Sequence, residues 1–282
     1  VECTKELANF YAALQFEDLP HAVVHDAKRI IMDTIACAIG GYCQKKSKII
    51  VSVNKSLGCA DQATVFATGD RMSCADAAFV NAELANALDF DETFMNLAHF
   101  ANVMIANSIA VGEKNGASGK DVITAFVASF DLTSRLALAI PQVSVITDFG
   151  GEKLTWSDTS GESYIGLGGA LAAGKILKLS GSETAEAFGI AGASTPAPSL
   201  KKLVTEAQFS MQKYAPLGFF AHTGVMSALL AESGYTGGQS ILEGDYGFWR
   251  YSGGLSCDWG LLLEGLGKKW WISETSLKRY PA

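Results

Sequence analysis

The fold is decided by residues 73–93, which read SCADAAFVNAELANALDFDET. Ser73 and Asp76, three residues later, form a capping box, a pattern that begins helices. Small and apolar side chains then recur at the helical spacings of three and four: Ala75, Ala78, Phe79, Ala82 and Ala85. The pattern predicts a helix over 73–93, and its apolar face continues onto Asp89 and Thr93.

A carboxylate at Asp89 is unexpected on the buried face of an alanine-rich helix. Burying a charge costs free energy unless the charge is paired or used in chemistry. Two interpretations therefore remain open, a structurally satisfied buried aspartate and a member of a functional site. His99 favours the second, because it lies in a predicted break between helices, where a loop side chain can face a cleft.

Residues 89–93 also match Asp-x-Asp-x-Thr, the nucleophile motif of haloacid-dehalogenase-type phosphatases. In that chemistry the first Asp attacks phosphorus with the help of a metal ion. The motif then follows a buried parallel strand. The residues before Asp89 include no β-branched run and are typical of a helix. A metal-dependent phosphatase is therefore the minor alternative, and no metal site is predicted.

Composition excludes several classes of function. The 282 residues carry a net charge of −7 and no basic cluster longer than two lysines, so we expect no nucleic acid or anionic membrane as partner. The six cysteines include no Cys-x-x-Cys pair, which argues against a disulfide framework and favours a cytoplasmic, reducing compartment. We recognise no signal peptide and no uncharged apolar run of membrane-spanning length.

Helix signals dominate the rest of the chain. Further capping boxes at Ser118 and Ser180 predict helix starts, and glycine- or alanine-rich apolar stretches predict helices over 163–177 and 217–232. Residues 268–272 instead have the composition of a strand. The sequence predicts a mainly α protein, with a large all-helical domain over 1–265 and the first elements of a sheet-containing domain over 266–282.

The other candidate side chains are three histidines and one lysine. His21 and His25 have a spacing that could hold a metal ion, but no third ligand lies nearby and a solvated pair is favoured. His222 follows an apolar segment and is predicted to be a packed core histidine. Lys213 lies outside any charge run, and a surface lysine and a functional lysine remain alternatives.

Several groups of residues along the chain form one recognisable pattern. They are 86–93 with His99, 118–121 with Arg135, 211–213, 234–237 with 242–244, and 277–281. Together they resemble the signature of the 2-methylcitrate dehydratase and cis-aconitate decarboxylase family (MmgE/PrpD), which also includes iminodisuccinate epimerase. The resemblance covers essentially the whole chain.

The resemblance implies a homodimer in which a helical domain and an inserted α/β lid enclose an active site that needs no cofactor. Asp89, Thr93 and His99 match the family's active-site aspartate, threonine and histidine. Lys213 matches its buried lysine and Lys278 a lid lysine. In these roles His99, oriented by Asp89, would move a proton beside a substrate carboxylate. The two lysines would stabilise negative charge, and Thr93 would bind the substrate.

Two departures from the family pattern leave the reaction open. Dehydratase and decarboxylase members tend to carry a histidine in Gly-x-His-x-Thr, where this chain has Asp158, which becomes the candidate substrate-binding residue. After His99 they usually have Pro-Gly or Pro-Ser, where this chain has Phe100 and Ala101. Dehydration, decarboxylation, and epimerisation or isomerisation of a small polycarboxylic or amino-dicarboxylic acid remain alternatives.

A third departure is length, because the family's lid and returning helices would follow Ala282. A truncated, inactive relative that acts as a dimerising helical module is therefore a further alternative. A chain ending at Ala282 is expected to be inactive, because Lys278 would lack a lid and the cleft would stay open to water. It is also expected to associate through an unpaired strand edge near Trp270.

Overall fold

Helices make up most of the computed structural model, which describes residues 2–58, 60–95, 98–141, 143–148, 151–156, 162–197, 210–212 and 217–281. The mainly α prediction is confirmed. The α-helices in these residues are α1 (Cys3–Ala13), α2 (His21–Gly41), α3 (Lys45–Ser56), α4 (Cys74–Ala85), α5 (Ala101–Asn115), α6 (Gly119–Ala139), α7 (Ile165–Ile176), α8 (Gly181–Ser194), α9 (Leu217–Glu232), α10 (Phe248–Tyr251) and α11 (Trp259–Leu263).

The strands of the described residues form three antiparallel pairs. They are β1 (Ala63–Thr64) with β2 (Arg71–Met72), β3 (Thr93–Phe94) with β6 (Thr275–Ser276), and β4 (Val143–Asp148) with β5 (Gly151–Trp156). In the second pair Thr93 lies opposite Ser276. This pair matters most for the site, because it joins the middle of the chain to its C-terminal segment.

The core forms where α7 packs against α5, α6, α8 and α9, and where α4 packs against α5 and α9. Small residues allow these close contacts, as predicted for 163–177. A Cβ added at Gly224 of α9 would lie 2.5 Å from the main chain of Gly169 on α7, so glycine is required there. Helix α6 is long and apolar enough to cross a membrane, but 83% of its apolar window is buried inside the protein. Its apolar surface therefore belongs to the core.

The predicted helix starts are confirmed where they rest on a local cap. Ser118 accepts a hydrogen bond from the main-chain N–H of Asp121 at the start of α6, and Ser180 accepts one from Glu183 at the start of α8. Both caps are complete capping boxes. Helix α9 spans the predicted 217–232. Such starts are predictable because every atom involved lies within four residues.

The predicted helix over 73–93 is wrong in its second half. Helix α4 begins as predicted, with the Asp76 N–H donating to Ser73 Oγ at 3.1 Å, but it ends at Ala85. Asp89 then has a φ of +51°, in the left-handed region, and Thr93 lies in β3. Leaving the helix lets the buried Asp91 accept hydrogen bonds from the side-chain amide of Asn86. A continuing helix would leave these acids on an apolar face without donors.

The predicted strand over 268–272 is also wrong. A 3-10 helix spans Trp271–Glu274, and the strand that follows is the two-residue β6. The main chain here binds buried side chains of α6: Lys269 O accepts from Arg135 at 3.1 Å, and the Trp271 N–H donates to Asp131 at 3.2 Å. Since Trp270 is only 8% exposed and β6 is paired with β3, the expected unpaired edge near Trp270 is absent from this segment. The domain boundary at residue 265 stays a prediction.

Candidate active site

Asp89, His99 and Lys278 come together where the loop after α4 meets the C-terminal segment. The pairing of β3 with β6 carries Lys278 back to this loop. Its Nζ lies 2.8 Å from Asp89 Oδ1 and 3.1 Å from the Asp89 carbonyl oxygen. The same Nζ lies 3.4 Å from His99 Nε2. The side chains are largely buried, at 18% exposure for His99 and 11% for Lys278.

His99 is oriented by the main chain. Its Nδ1 lies 2.6 Å from the carbonyl oxygen of Glu92. A carbonyl only accepts hydrogen bonds, so Nδ1 carries the hydrogen, and in the neutral ring Nε2 keeps its lone pair. Asp89 Oδ1 lies 3.8 Å from His99 Nε2, close enough to pair with a protonated ring, so the orientation of His99 by Asp89 stays a prediction. Asp89 also holds Lys278, which lies beside His99 Nε2.

Two buried acids behind His99 were missed by sequence reasoning. Asp91 accepts hydrogen bonds from the side-chain amides of Asn86, at 2.9 Å, and Asn102, at 2.6 Å. Glu92 Oε1 accepts from the main-chain N–H groups of Phe100, at 2.9 Å, and Ala101, at 2.8 Å. Both acids are completely buried. Their presence two and three residues after Asp89 was visible, but their partners, which lie on α5, just before it and at the end of α4, could not be read from spacing.

The pKa values of these two acids are raised to different extents. Burial raises the pKa of Glu92 well above its usual range and the charge of Asp91 raises it further, although the two main-chain N–H groups oppose this. Burial also raises the pKa of Asp91, against the lowering effects of His99, the two amides and Lys278. Burial and Asp91 raise the pKa of Asp33 on α2 as well. The pKa of Glu92 is thus raised more strongly than that of Asp91, so Glu92 is the acid that holds its proton more firmly.

Asp89, Asp91 and His99 offer ligand atoms within 4.8 Å of one another, close enough for a metal ion. However, the ammonium of Lys278 already lies within 3.4 Å of the Asp89 and His99 ligand atoms. Both oxygens of Asp91 accept from amides. A divalent ion would have to displace this lysine, so the residues do not fit a metal centre. The phosphatase motif also lacks the buried strand that should precede it, since Asp89 follows α4 and a turn.

The remaining candidates have different positions. Thr93 is half-buried in β3, within the strand pair that brings in Lys278. Lys213 and Asp158 lie outside the described residues. On α2 both His21 and His25 are exposed, as expected of a solvated pair. His222 is half-buried on α9, less enclosed than the predicted core histidine.

Comparison with known proteins decides the family. The profile of the MmgE/PrpD N-terminal domain matches residues 5–256. The chain belongs to the MmgE/PrpD family. Within the matched range lie Asp89, Thr93 and His99, whereas Lys278 lies beyond it.

Curated MmgE/PrpD relatives give the degree of similarity. Cis-aconitate decarboxylase from Aspergillus terreus is 30% identical over 251 residues, covering 86% of this chain and 48% of the relative. The cis-aconitate decarboxylase-like protein oryM from Aspergillus oryzae is 28% identical over 256 residues, 86% of this chain and 50% of the relative. The human cis-aconitate decarboxylase is 26% identical over 288 residues, 99% of this chain and 56% of the relative. The chain spans about half the length of the curated relatives it matches.

Proposed function

We propose that this chain carries the acid–base centre of a lyase or isomerase that acts beside a carboxylate of a small polycarboxylic or amino-dicarboxylic acid, without a metal or organic cofactor. The observation that carries the proposal is the position of Lys278 Nζ, 3.4 Å from His99 Nε2 and 2.8 Å from Asp89 Oδ1. A base and a fixed positive charge thus lie side by side in a largely buried site.

The chemistry follows from these two groups. His99 Nε2 takes the proton from the carbon beside a substrate carboxylate, and the electron pair of the broken C–H bond moves toward that carboxylate. Lys278 stabilises the negative charge that develops, an interaction strengthened where water is excluded. In a dehydration the electron pair then expels the neighbouring hydroxyl group, which takes a proton from a protonated side chain and leaves as water. In an epimerisation His99 keeps the proton that it took, and a protonated group on the opposite face of the carbon supplies the new one.

Decarboxylation uses the same groups in another order. The bond between the carbon and the departing carboxylate supplies the electron pair, carbon dioxide leaves, and a protonated side chain delivers a proton to the carbon. The names of the curated relatives make cis-aconitate the first acid to test. Thr93, Lys213 and Asp158 complete the proposal as substrate-binding or charge-stabilising residues, on the basis of the family resemblance. That resemblance also supports a homodimer, whereas the cytoplasmic location is proposed from the cysteine pattern.

The test is a substrate panel followed by NMR in heavy water. Cis-aconitate, 2-methylcitrate and an amino-dicarboxylate are each incubated with the protein, and loss of carbon dioxide, alkene formation and exchange of carbon-bound hydrogen are recorded. In the full-length protein we expect one of these for at least one acid, and its loss in His99→Ala. His25→Ala is the matched control, because His25 is exposed on α2. A folded, dimeric protein that exchanges no hydrogen in any acid would instead favour the helical module.

A further inference from the structure

Glu92 contacts the immediate surroundings of His99 in two ways. Its carbonyl oxygen accepts from His99 Nδ1 at 2.6 Å. Its side-chain Oε1 accepts from the N–H groups of Phe100 and Ala101, the two residues that follow His99. One residue therefore binds the imidazole ring through its main chain and the backbone that follows His99 through its side chain.

A helix cap alone does not explain this side chain. Helices α4, α6 and α8 begin with serine caps and α11 with Asp258, each bonded to an N–H three residues later. At α5 the N-cap residue Phe100 provides no side-chain cap, and the acceptor comes from a glutamate eight residues upstream. Distant glutamates also accept at the starts of α1, where Glu243 bonds the Thr4 N–H, and α9, where Glu83 bonds the Gly218 N–H, but Glu92 is the one of these three that also bonds a histidine ring through its carbonyl. That glutamate is completely buried, and its Oε2 has no hydrogen-bond partner among the described residues. Burying such a group is costly, whereas a serine would begin the helix without this cost.

The position of the His99 ring depends on both contacts. The ring hydrogen-bonds to the Glu92 carbonyl. The backbone at 100–101, which follows His99 directly, fixes the position of the His99 main chain from which the ring extends. If either contact is lost, Nε2 can move away from Lys278 or the ring can exchange its tautomer. Proton transfer is sensitive to displacements of about 1 Å in the reacting atoms.

We propose that Glu92 is the positioning residue of His99: its carbonyl fixes the Nδ1–H tautomer, and its carboxyl group holds residues 100–101 so that Nε2 stays beside Lys278. The effect on turnover rests on the proposed function. The effect on the ring does not, because tautomer and position are properties of the protein without substrate.

The variants separate the two parts of this role. Glu92→Gln keeps an Oε1 acceptor for the two N–H groups. Glu92→Ala removes the acceptor, and Glu92→Asp withdraws it by one methylene while keeping the acid. Ser118→Ala is the control, because it removes an N-cap bond to a main-chain N–H at a helix start that does not include His99. Glu92→Asp keeps the proposal testable if Glu92→Ala does not fold.

The first readout needs no substrate. Nitrogen-15 NMR of histidine-labelled protein reports which ring nitrogen carries the hydrogen, and the His99 signal is identified among four histidines by its absence in His99→Gln. We expect a single Nδ1–H tautomer in the wild type, Glu92→Gln and Ser118→Ala, and loss of that tautomer in Glu92→Ala and Glu92→Asp. An unchanged Nδ1–H signal in both of the last two variants would overturn the proposal.

The second readout is kinetic. With an acid that the wild type converts, kcat should fall roughly 100-fold in Glu92→Ala with little change in KM, because the base is displaced while substrate binding is kept. Glu92→Gln should restore most of kcat. Equal kcat in Glu92→Ala and the wild type would overturn the positioning role. The expected tautomer change, in a protein that converts no acid, would support the positioning role and count against the proposed function alone.

Discussion

Two clusters of buried charge in this molecule differ in how completely their polar groups are hydrogen-bonded. Around Arg135, completely buried on α6, each charged group is matched by hydrogen-bond partners. Its Nε donates to Asp131 at 2.8 Å, and its terminal nitrogens donate to the carbonyl oxygens of Glu264, at 2.7 Å, and Lys269, at 3.1 Å. Tyr11 donates to the same carboxylate at 2.8 Å. This cluster ties α1 and the C-terminal segment to α6.

The cluster around His99 is incompletely matched. Glu92 Oε2 and Asn102 Oδ1 are buried with no hydrogen-bond partner among the described residues. Two acids are adjacent in sequence at 91–92, and Asp89 has a φ of +51°. Strain and incompletely compensated polar groups persist where the surrounding structure imposes them, and they concentrate at functional sites. Asp131 beside Arg135 has both carboxylate oxygens bonded, whereas Glu92 beside His99 has one oxygen without a partner among the described residues, and this difference favours the His99 cluster as the functional one.

The largest effect that would test this contrast is on turnover. In the His99 cluster, His99→Ala and Asp89→Asn should lower kcat/KM by about 10²–10⁴, the usual contribution of a positioned acid–base group. Steady-state kinetics with the acid found in the substrate panel measures this. The Arg135 cluster supplies the control, since Tyr11→Phe removes one hydrogen bond there and should leave kcat/KM near the wild-type value. Near-wild-type kcat/KM in folded His99→Ala would contradict the assignment.

The next effect is on stability. Asp131→Ala leaves the completely buried Arg135 without its carboxylate, which should lower the free energy of unfolding by about 3–5 kcal/mol. Asp89→Asn should cost clearly less, because the amide oxygen can still accept from Lys278. Urea unfolding of both variants gives the two values. The contrast between the clusters would be lost if Asp89→Asn destabilised the protein as much as Asp131→Ala.

A smaller effect is expected in the pH dependence of stability. The raised pKa of Glu92 means that the folded protein keeps a proton that the unfolded chain loses above about pH 4.3. Stability therefore falls as pH rises from there toward the folded-state pKa, by at most about 1.4 kcal/mol per pH unit. Glu92→Gln has no proton to lose, so its stability relative to wild type should increase with pH.

Urea unfolding between pH 5 and pH 8 tests this trend. Glu183→Gln is the control, since hydrogen bonds from Ser180 lower the pKa of Glu183. That variant should show no relative gain with rising pH. A Glu92→Gln curve parallel to the wild type would show that Glu92 is ionised in the folded protein.

The smallest expected effect concerns metal ions. Chelation with EDTA should leave turnover unchanged, because Lys278 already supplies a positive charge between Asp89 and His99. Activity measured before and after chelation, and again with added magnesium, is sufficient. If activity were lost on chelation and recovered with magnesium, the metal-dependent phosphatase alternative, with the ion at Asp89 and Asp91, would be favoured instead.

The sequence predicted what depends on neighbouring residues. The starts of α4, α6 and α8 followed from serine caps three residues from their partners. The end of α4 at Ala85 did not, since it depends on where the acids at 91–92 find donors. The pattern at 268–272 resembled a strand because its apolar and aromatic composition is visible, whereas the hydrogen bonds from Arg135 and to Asp131 are not.

The site was partly predictable for the same reason. Asp89 and His99 stood out as a carboxylate on an apolar face and a histidine in a helix break. Their proximity to Lys278 came only from the family resemblance, because no local pattern connects residues 189 positions apart. The proposed role of Glu92 could not be predicted from the sequence. Its side-chain partners are main-chain N–H groups, which almost every residue has, so no residue type indicates the contact.

The pairing of Thr93 with Ser276 also sets the order in which the molecule is assembled on the ribosome. At ~5–20 residues per second, synthesis of the 189 positions between Asp89 and Lys278 takes roughly 10–40 s. During that interval α4 and α5 can pack against each other, but Lys278, which later contacts both Asp89 and His99, has not yet been synthesised. The bond between Asp89 and Lys278 can therefore form only after every α-helix of the described residues has been synthesised, and a chain released before Lys278 cannot form it.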